Sequence, residues 1–331
     1  MTVTAPYEPI VHFRSTLWAE LCRDGLLPDD VRYDEGRRAV TRAGVEESAL
    51  LERAIGHRLW KRGLAALRRP HPQADCVRVL GFGRLLTEFL LTASLIDRSA
   101  RDEVLRLGAL ANLIVALFDY LADDRALGAH ALSPASLERA CRRSRVHLWW
   151  RSLFGAPEGR LIARLVLEYF RRLDRLPFAR RHTGVAELVS RVILAMYAAE
   201  LATLSHTHPS KKTLRRKSAL PLVVMALPAW LAIERIEESK VRDHVRYAYR
   251  LGEFMGAIDD AADAELDLAS GRPNSVLEAL HAPISLNLAR GIAREGARLL
   301  EERQWLAADE SDDGQAREAL GVVVRSWLGG R

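Results

Sequence analysis

Two stretches of this chain set carboxylates at helical spacing. In the first, the apolar run Leu113-Ile114-Val115-Ala116-Leu117-Phe118 is followed by Asp119, Asp123 and Asp124. Asp119 and Asp123 are four residues apart, so a helix carries both on one face. In the second, Gly252 to Asp267, the aspartates are Asp259, Asp260, Asp263 and Asp267. Asp259, Asp263 and Asp267 fall at i, i+4 and i+8, a stripe two turns long. Such stripes oppose the helix that bears them. Carboxylates about 5–6 Å apart repel by about 3 kcal/mol at an effective dielectric of 20, and by a few tenths when fully solvated. Both stripes also sit toward the C-terminal ends of their apolar segments, where the helix dipole disfavours anions. A hard cation resolves the conflict: Mg²⁺ takes one or two carboxylates, waters and substrate phosphate oxygens. The bland alternative is a pair of solvated helix ends. Against it stand the small residues beside the acids: Ala116 near Asp119, and Gly252 and Gly256 below Asp259. Glycine inside a helix costs about 1 kcal/mol relative to alanine. Two of them a turn apart indicate space kept for a packed helix or a ligand.

The elements that must position these acids read as helices nearly throughout. Apolar residues recur at i, i+3, i+4 and i+7, and alternating strand patterns are scarce. The expected helices cover about 10–25, 45–68, 79–97, 101–124, 134–153, 157–176, 184–206, 214–235, 240–268, 284–304 and 313–328, with boundary errors of a few residues. The breakers between them include Pro28 with Asp29-Asp30, Arg69-Pro70-His71-Pro72, Gly128 to Ser133-Pro134, Gly155 to Pro157, His208-Pro209-Ser210 and Gly271-Arg272-Pro273. Short joints and no repeat or low-complexity linker point to one all-α domain over residues 1–331. Gly81-Phe82-Gly83 follows no strand and lacks the spacing of a nucleotide-binding loop, so it reads as a turn. His182, His206 and His208 match no helical metal pair.

Composition narrows the function classes. The chain has 331 residues, 49 Lys+Arg against 43 Asp+Glu, and a hydrophobic content of 49%, enough for a full core. Its pI is near 9.5. Only five of the basic residues are lysines, and the arginines alternate with acids as on solvated helix faces, so no nucleic-acid partner is expected. The exception is the cluster Lys211-Lys212-Thr213-Leu214-Arg215-Arg216-Lys217. Three widely spaced cysteines (Cys22, Cys76 and Cys141) fit neither a disulfide scaffold nor a cysteine-based zinc site, and they suit a reducing cytoplasm. The longest uncharged apolar run, Ala219 to Ile233, falls short of the roughly 20 residues needed to span a bilayer. It also contains Pro221 and Pro228. The N-terminal residues show no charged-then-apolar leader, so the expected location is cytoplasmic.

Over residues 80–280 the sequence resembles the class I isoprenoid synthases: terpene cyclases, trans-prenyl diphosphate synthases and squalene/phytoene synthases. Asp259-Asp260-Ala261-Ala262-Asp263, with the trailing Gly271-Arg272-Pro273-Asn274, resembles the second aspartate-rich motif of prenyl diphosphate synthases, Arg272 standing for its usual lysine. Asp119-Tyr120-Leu121-Ala122-Asp123 resembles the DxxxD of squalene/phytoene synthases. Lys217-Ser218 resembles the Lys-Thr pair that grips diphosphate at a helix start. Arg215 and Arg216 lie about where cyclases carry a diphosphate-sensing arginine. The Gly-Gly-Lys and the arginine pair that serve isopentenyl diphosphate in chain-elongating enzymes are missing.

The resemblance implies an all-α bundle around a central cavity. It implies Mg²⁺, three ions in such families, held by Asp119, Asp123 and Asp124 from one side and by Asp259, Asp260, Asp263 and Asp267 from the other. Asp119, Asp123, Asp259 and Asp263 would be the catalytic core of that set, and Lys217, Arg216 and Arg215 would bind diphosphate. The expected activity is a terpene synthase ionising a linear prenyl diphosphate. The alternatives are a prenyltransferase, head-to-head or chain-elongating, and a non-catalytic helical interaction protein. A homodimer is compatible with the resemblance. Phe118, Trp149, Trp150, Phe154, Tyr197, Trp230 and Phe254 could wall the cavity, since ring faces stabilise cations, or simply pack the core.

Overall fold

The structure, a computed structural model, describes residues 8–91, 98–123, 135, 137, 138, 141, 156–181, 184–205, 209–232, 238–280, 285–306 and 313–329. Among these residues there are thirteen helices and no strand, as the apolar periodicity requires: α1 (Glu8–Arg23), α2 (Asp30–Ile55), α3 (His57–Ala66), α4 (Pro72–Leu90), α5 (Arg98–Asp123), α6 (Pro157–Leu173), α7 (Pro177–Arg181), α8 (Val185–Ser205), α9 (Lys211–Leu231), α10 (Glu238–Ser270), α11 (Ser275–Leu280), α12 (Ser285–Leu306) and α13 (Asp313–Gly329). Of the expected helix 134–153 only Ala135, Leu137, Glu138 and Cys141 are described, all helical; its other residues, Trp149 and Trp150 among them, and Phe154, Asp124, His182, His206 and His208 lie outside the described residues.

Local chemistry sets several boundaries. Asp29 caps α2, accepting from the Arg32 amide at 2.9 Å. That cap starts the helix fifteen residues before the expected 45, because charged residues 30–39 mask its apolar face. Gly56, at φ 99°, divides the expected 45–68 helix into α2 and α3. Pro72 occupies the first turn of α4, where its missing N–H is no loss. Gly81-Phe82-Gly83 is therefore not a turn but the middle of α4. Gly44 on α2 and Gly81 on α4 form a reciprocal contact: a Cβ on Gly81 would sit 2.1 Å from the Val40 carbonyl oxygen, and one on Gly44 would sit 1.9 Å from that of Val77. The glycines let two backbones touch, which a turn reading of Gly81-Phe82-Gly83 misses.

A continuous apolar core joins α1, α4, α5, α6, α9, α10 and α13. Helix α5 is its axis, with Leu107, Leu110, Leu113, Leu117, Phe118 and Leu121 all buried. The stretch Ala100–Leu121 is long and apolar enough to cross a membrane by length and composition, but most of it is buried among the other helices. Helix α9 packs against α5, α8 and α10. Two prolines lie inside it. Pro228 has no N–H for the carbonyl of Val224, and the buried Tyr169 hydroxyl donates to that oxygen instead, at 3.3 Å. Burial pushes the Tyr169 phenol well above its ordinary range, which keeps it a donor. The three cysteines are free, and burial pushes the Cys76 and Cys141 thiols up to about 12.

Candidate active site

Helices α5, α9 and α10, with α2, α4, α8 and the end of α13, line a cavity of about 1720 Å³, Glu200 of α8 among the lining residues. Both acidic faces reach it. Asp119 lines it from α5, and Asp259, Asp260, Asp263 and Asp267 line it from α10. Asp123 is the last residue of α5, and its side chain lies outside the described set, as does Asp124.

Close helix approach creates this arrangement. A Cβ on Gly252 would lie 2.6 Å from Ala219 Cα, and one on Gly256 would lie 2.3 Å from Ser218 Oγ. The two glycines thus press α10 onto α9 at Ser218 and Ala219, the start of its third turn. This is the packed-helix option of the sequence reading, and it sets Lys217 beside the aspartate stripe. The basic cluster is not a loop: Ser210 caps α9, accepting from the Thr213 amide, and residues 211–217 form its first two turns.

The cluster divides on folding. The Lys217 ammonium lies 3.3 Å from Asp119 Oδ1 and 3.1 Å from Glu200 Oε2. Burial alone would lower its pKa, but the carboxylates of Glu200 and Asp119 outweigh this and hold it above the ordinary lysine range. Arg215 also lines the cavity and pairs with Glu253. Arg216 is exposed and is not among the lining residues, so of the three cations the structure brings Arg215 and Lys217 to the cavity. Arg272 reaches it from the turn after α10, where Gly271 adopts φ 66°.

Two of the α10 aspartates, Asp260 and Asp267, accept hydrogen bonds from neutral donors. Asp260 Oδ2 accepts from the Ser275 amide at 3.0 Å and from the Ser275 hydroxyl. Buried Asn274 donates through Nδ2 to the Asp260 carbonyl at 2.7 Å and to Asp267 Oδ2 at 2.9 Å. Its Oδ1 accepts from the amides of Val276 and Leu277, capping α11. Burial, opposed by these hydrogen bonds, holds both Asp260 and Asp267 above the usual carboxylate range. Asp260 thus combines a place on the cavity wall with a tie that fixes the α10–α11 turn.

The residues present suit Mg²⁺ in kind: hard carboxylate oxygens on opposite sides of one cavity. Among the described residues no three His, Cys, Asp or Glu side chains gather at one point. Water and substrate phosphate oxygens would therefore have to complete any coordination shell.

The aromatic expectations fall on the core side. Phe118 and Tyr197 pack together, ring centroids 4.6 Å apart, and both are fully buried. Trp230 stacks on His244, and Phe254 fills the space beside Gly296. None of the four is a lining residue. The cavity's aromatic surface comes instead from Tyr33, Phe82, Tyr120 and Trp327, with Leu86, Leu222 and Met225 supplying aliphatic floor. Sequence reasoning also passed over Glu200. Its signal was present: a lone carboxylate at the C-terminal end of an otherwise apolar helix, Val185–Ser205, whose other acid, Glu187, lies in the first turn.

No family model matches the sequence, and no curated protein sequence matches it. Among solved structures the chain is similar to a farnesyl-diphosphate synthase candidate from Marinomonas sp. MED121, at 13% identity over 87% of this chain and 98% of that one, with a TM-score of 0.49. It is also similar to the farnesyl diphosphate synthase of T. brucei in complex with a bisphosphonate, at 12% identity over 88% and 99% of the two chains, with a TM-score of 0.40.

Proposed function

We propose that this chain is an isoprenoid synthase that binds a prenyl diphosphate in the α5–α9–α10 cavity, ionises it and releases diphosphate. The observation that carries the reading is the convergence of Asp119, Lys217 and the α10 aspartates on one cavity with an apolar floor. A diphosphate needs cationic partners, and a prenyl tail needs apolar, water-poor surface. Lys217 and Arg215 would bind the diphosphate oxygens, while Asp119, Asp259 and Asp263 would hold Mg²⁺. Bound Mg²⁺ would supply Lewis-acid stabilisation of the leaving group. Lys217, kept charged by its carboxylate partners, meets the negative charge that develops as the C–O bond breaks. Phe82, Leu86, Leu222 and Met225 keep water from the allylic cation, and the faces of Tyr33, Tyr120 and Trp327 offer it stabilising electron density.

Two product outcomes are compatible with this first step. Condensation of two prenyl units is favoured by the size of the cavity. Its volume of about 1720 Å³ exceeds the roughly 300–1,000 Å³ of ordinary small-molecule sites. The DxxxD spacing at Asp119 and Asp123 points the same way, toward head-to-head condensation. Cyclisation of a single substrate is favoured by the missing isopentenyl diphosphate motifs. The deciding assay supplies C10, C15, C20 and C25 prenyl diphosphates with Mg²⁺, with and without isopentenyl diphosphate. It reads diphosphate release and extracted products by mass spectrometry. Product requiring two prenyl units identifies a transferase, and a cyclic product or alcohol from one substrate identifies a terpene synthase. No turnover and no Mg²⁺-dependent binding of diphosphate would leave the acidic faces as solvated surfaces of an interaction protein.

A further inference from the structure

We propose that Glu200 is the positioning residue for Lys217, anchoring the ammonium on its more buried side so that Asp119 can release it and bind a cation in the cavity. The inference rests on the reading of Lys217 as a diphosphate ligand. The two carboxylates that share this lysine are not equivalent. The Glu200 side chain is 5% exposed and that of Asp119 is 41% exposed. A carboxylate buried without a cation is expensive, whereas one in contact with water has solvent to fall back on. When the lysine gives up one partner, the cheaper contact to lose is therefore the 3.3 Å one to Asp119, not the 3.1 Å one to Glu200. Glu200 lies on α8 and Asp119 on α5, with α9 packed against both helices. Both acids line the cavity, and Lys217 is tied to a buried carboxylate on one side and to a partly exposed one on the other. Without Glu200, the ammonium would be held only by the partly exposed Asp119 and would lie open to solvent. Any Mg²⁺ using Asp119 would then have to displace it.

The first test needs neither metal nor turnover. The chain has five lysines, so the acylation rate of each by an amine-selective reagent can be followed in the full-length protein by peptide mass spectrometry. In Asp119→Asn, Lys217 is expected to stay as protected as in the unaltered protein. In Glu200→Gln its rate is expected to rise about tenfold, and Glu200→Asp should fall between the two. Equal deprotection in Asp119→Asn and Glu200→Gln, or none in Glu200→Gln, overturns the proposal. Should Glu200→Gln not fold, Glu200→Asp carries the same comparison at smaller amplitude.

The second test is thermal shift with inorganic diphosphate. The Mg²⁺ concentration giving half the stabilisation is expected to rise about tenfold in Glu200→Gln and to return toward the original value in Glu200→Asp. A merely structural Glu200 would lower the melting temperature and leave that midpoint unmoved, which also overturns the proposal. If the acylation asymmetry holds but the unaltered protein binds no Mg²⁺-diphosphate, Glu200 still positions Lys217 and it is the proposed function that fails.

Discussion

The two acidic walls of the cavity handle the same electrostatic problem by different means. On the α5 wall, Asp119 is matched by a cation: Lys217 lies between it and buried Glu200. On the α10 wall, the contacts described for Asp260 and Asp267 come from neutral donors, the amide and hydroxyl of Ser275 and the side chain of Asn274. Neutral hydrogen bonds orient a carboxylate without cancelling its charge. The first wall thus sets one ammonium directly between two carboxylates, whereas the charges of Lys217 and Arg272 reach Asp267, and that of Lys217 reaches Asp260, only through space. At α5 a cation arriving from solution must compete with an ammonium already in contact with Asp119.

Substitutions can break this contrast, and the largest effect is expected at Lys217. Lys217→Met removes the ammonium that lies 3.1 Å from the buried Glu200 carboxylate. Losing one partner of a fully buried pair costs about 3–5 kcal/mol, and solvent screening of the partly exposed ammonium reduces this to about 2–3. Adding Glu200→Gln should recover most of that stability in chemical denaturation while turnover stays absent. A double variant no more stable than Lys217→Met would show that Lys217 does not offset the buried charge of Glu200.

Next in size is the seam that holds the walls together. In Gly252→Ala the new methyl meets α9 backbone, Ala219 Cα at 2.6 Å and the Ser218 oxygen at 2.7 Å, which cannot rotate away. Overpacking of this kind costs about 1–3 kcal/mol. Turnover should fall further than stability, since separating α9 from α10 moves Lys217 away from the aspartates. Normal activity in a destabilised Gly252→Ala would show that this spacing is not critical.

Asn274→Ala loosens the second wall alone. It removes the α11 cap and the bonds to Asp260 and Asp267, an expected loss of about 1–2 kcal/mol, with weaker stabilisation by Mg²⁺ and diphosphate in thermal shift. The smallest effect is a pH dependence at Asp267. Its folded pKa is raised, first by burial and also by the neighbouring Asp260 charge. The folded state therefore binds that proton more tightly than the unfolded chain. Stability is lost as pH rises from about 4 through the raised value, and below both pKa values there is no penalty. Asp267→Asn should accordingly melt higher than the unaltered protein at pH 7, and the difference should close as the pH falls below about 4. A difference that persists in acid would assign it to packing rather than to charge.

The spacing of apolar residues was enough to read the helical class and most helices, because one buried face per helix leaves its period in the sequence. The aspartate stripes were legible for the same reason: i, i+4 and i+8 positions share a face whatever the helix packs against. Gly252 and Gly256 were legible as a close approach, though not what approached them. Other features were decided by the tertiary structure. Glu200 acquires its role through Lys217, seventeen residues away on another helix, and nothing local to Ala199-Glu200-Leu201 encodes that contact. Lys217 and Arg216 are neighbours in sequence, yet a helix turns successive side chains by about 100°, so only packing could choose which one faces the cavity. The same holds for the rings: Phe118 and Phe82 are both buried, and whether a buried ring faces core or cavity depends on the helices opposite. Periodicity records that a residue is covered. It does not record what covers it, and the chemistry of this site depends on the second.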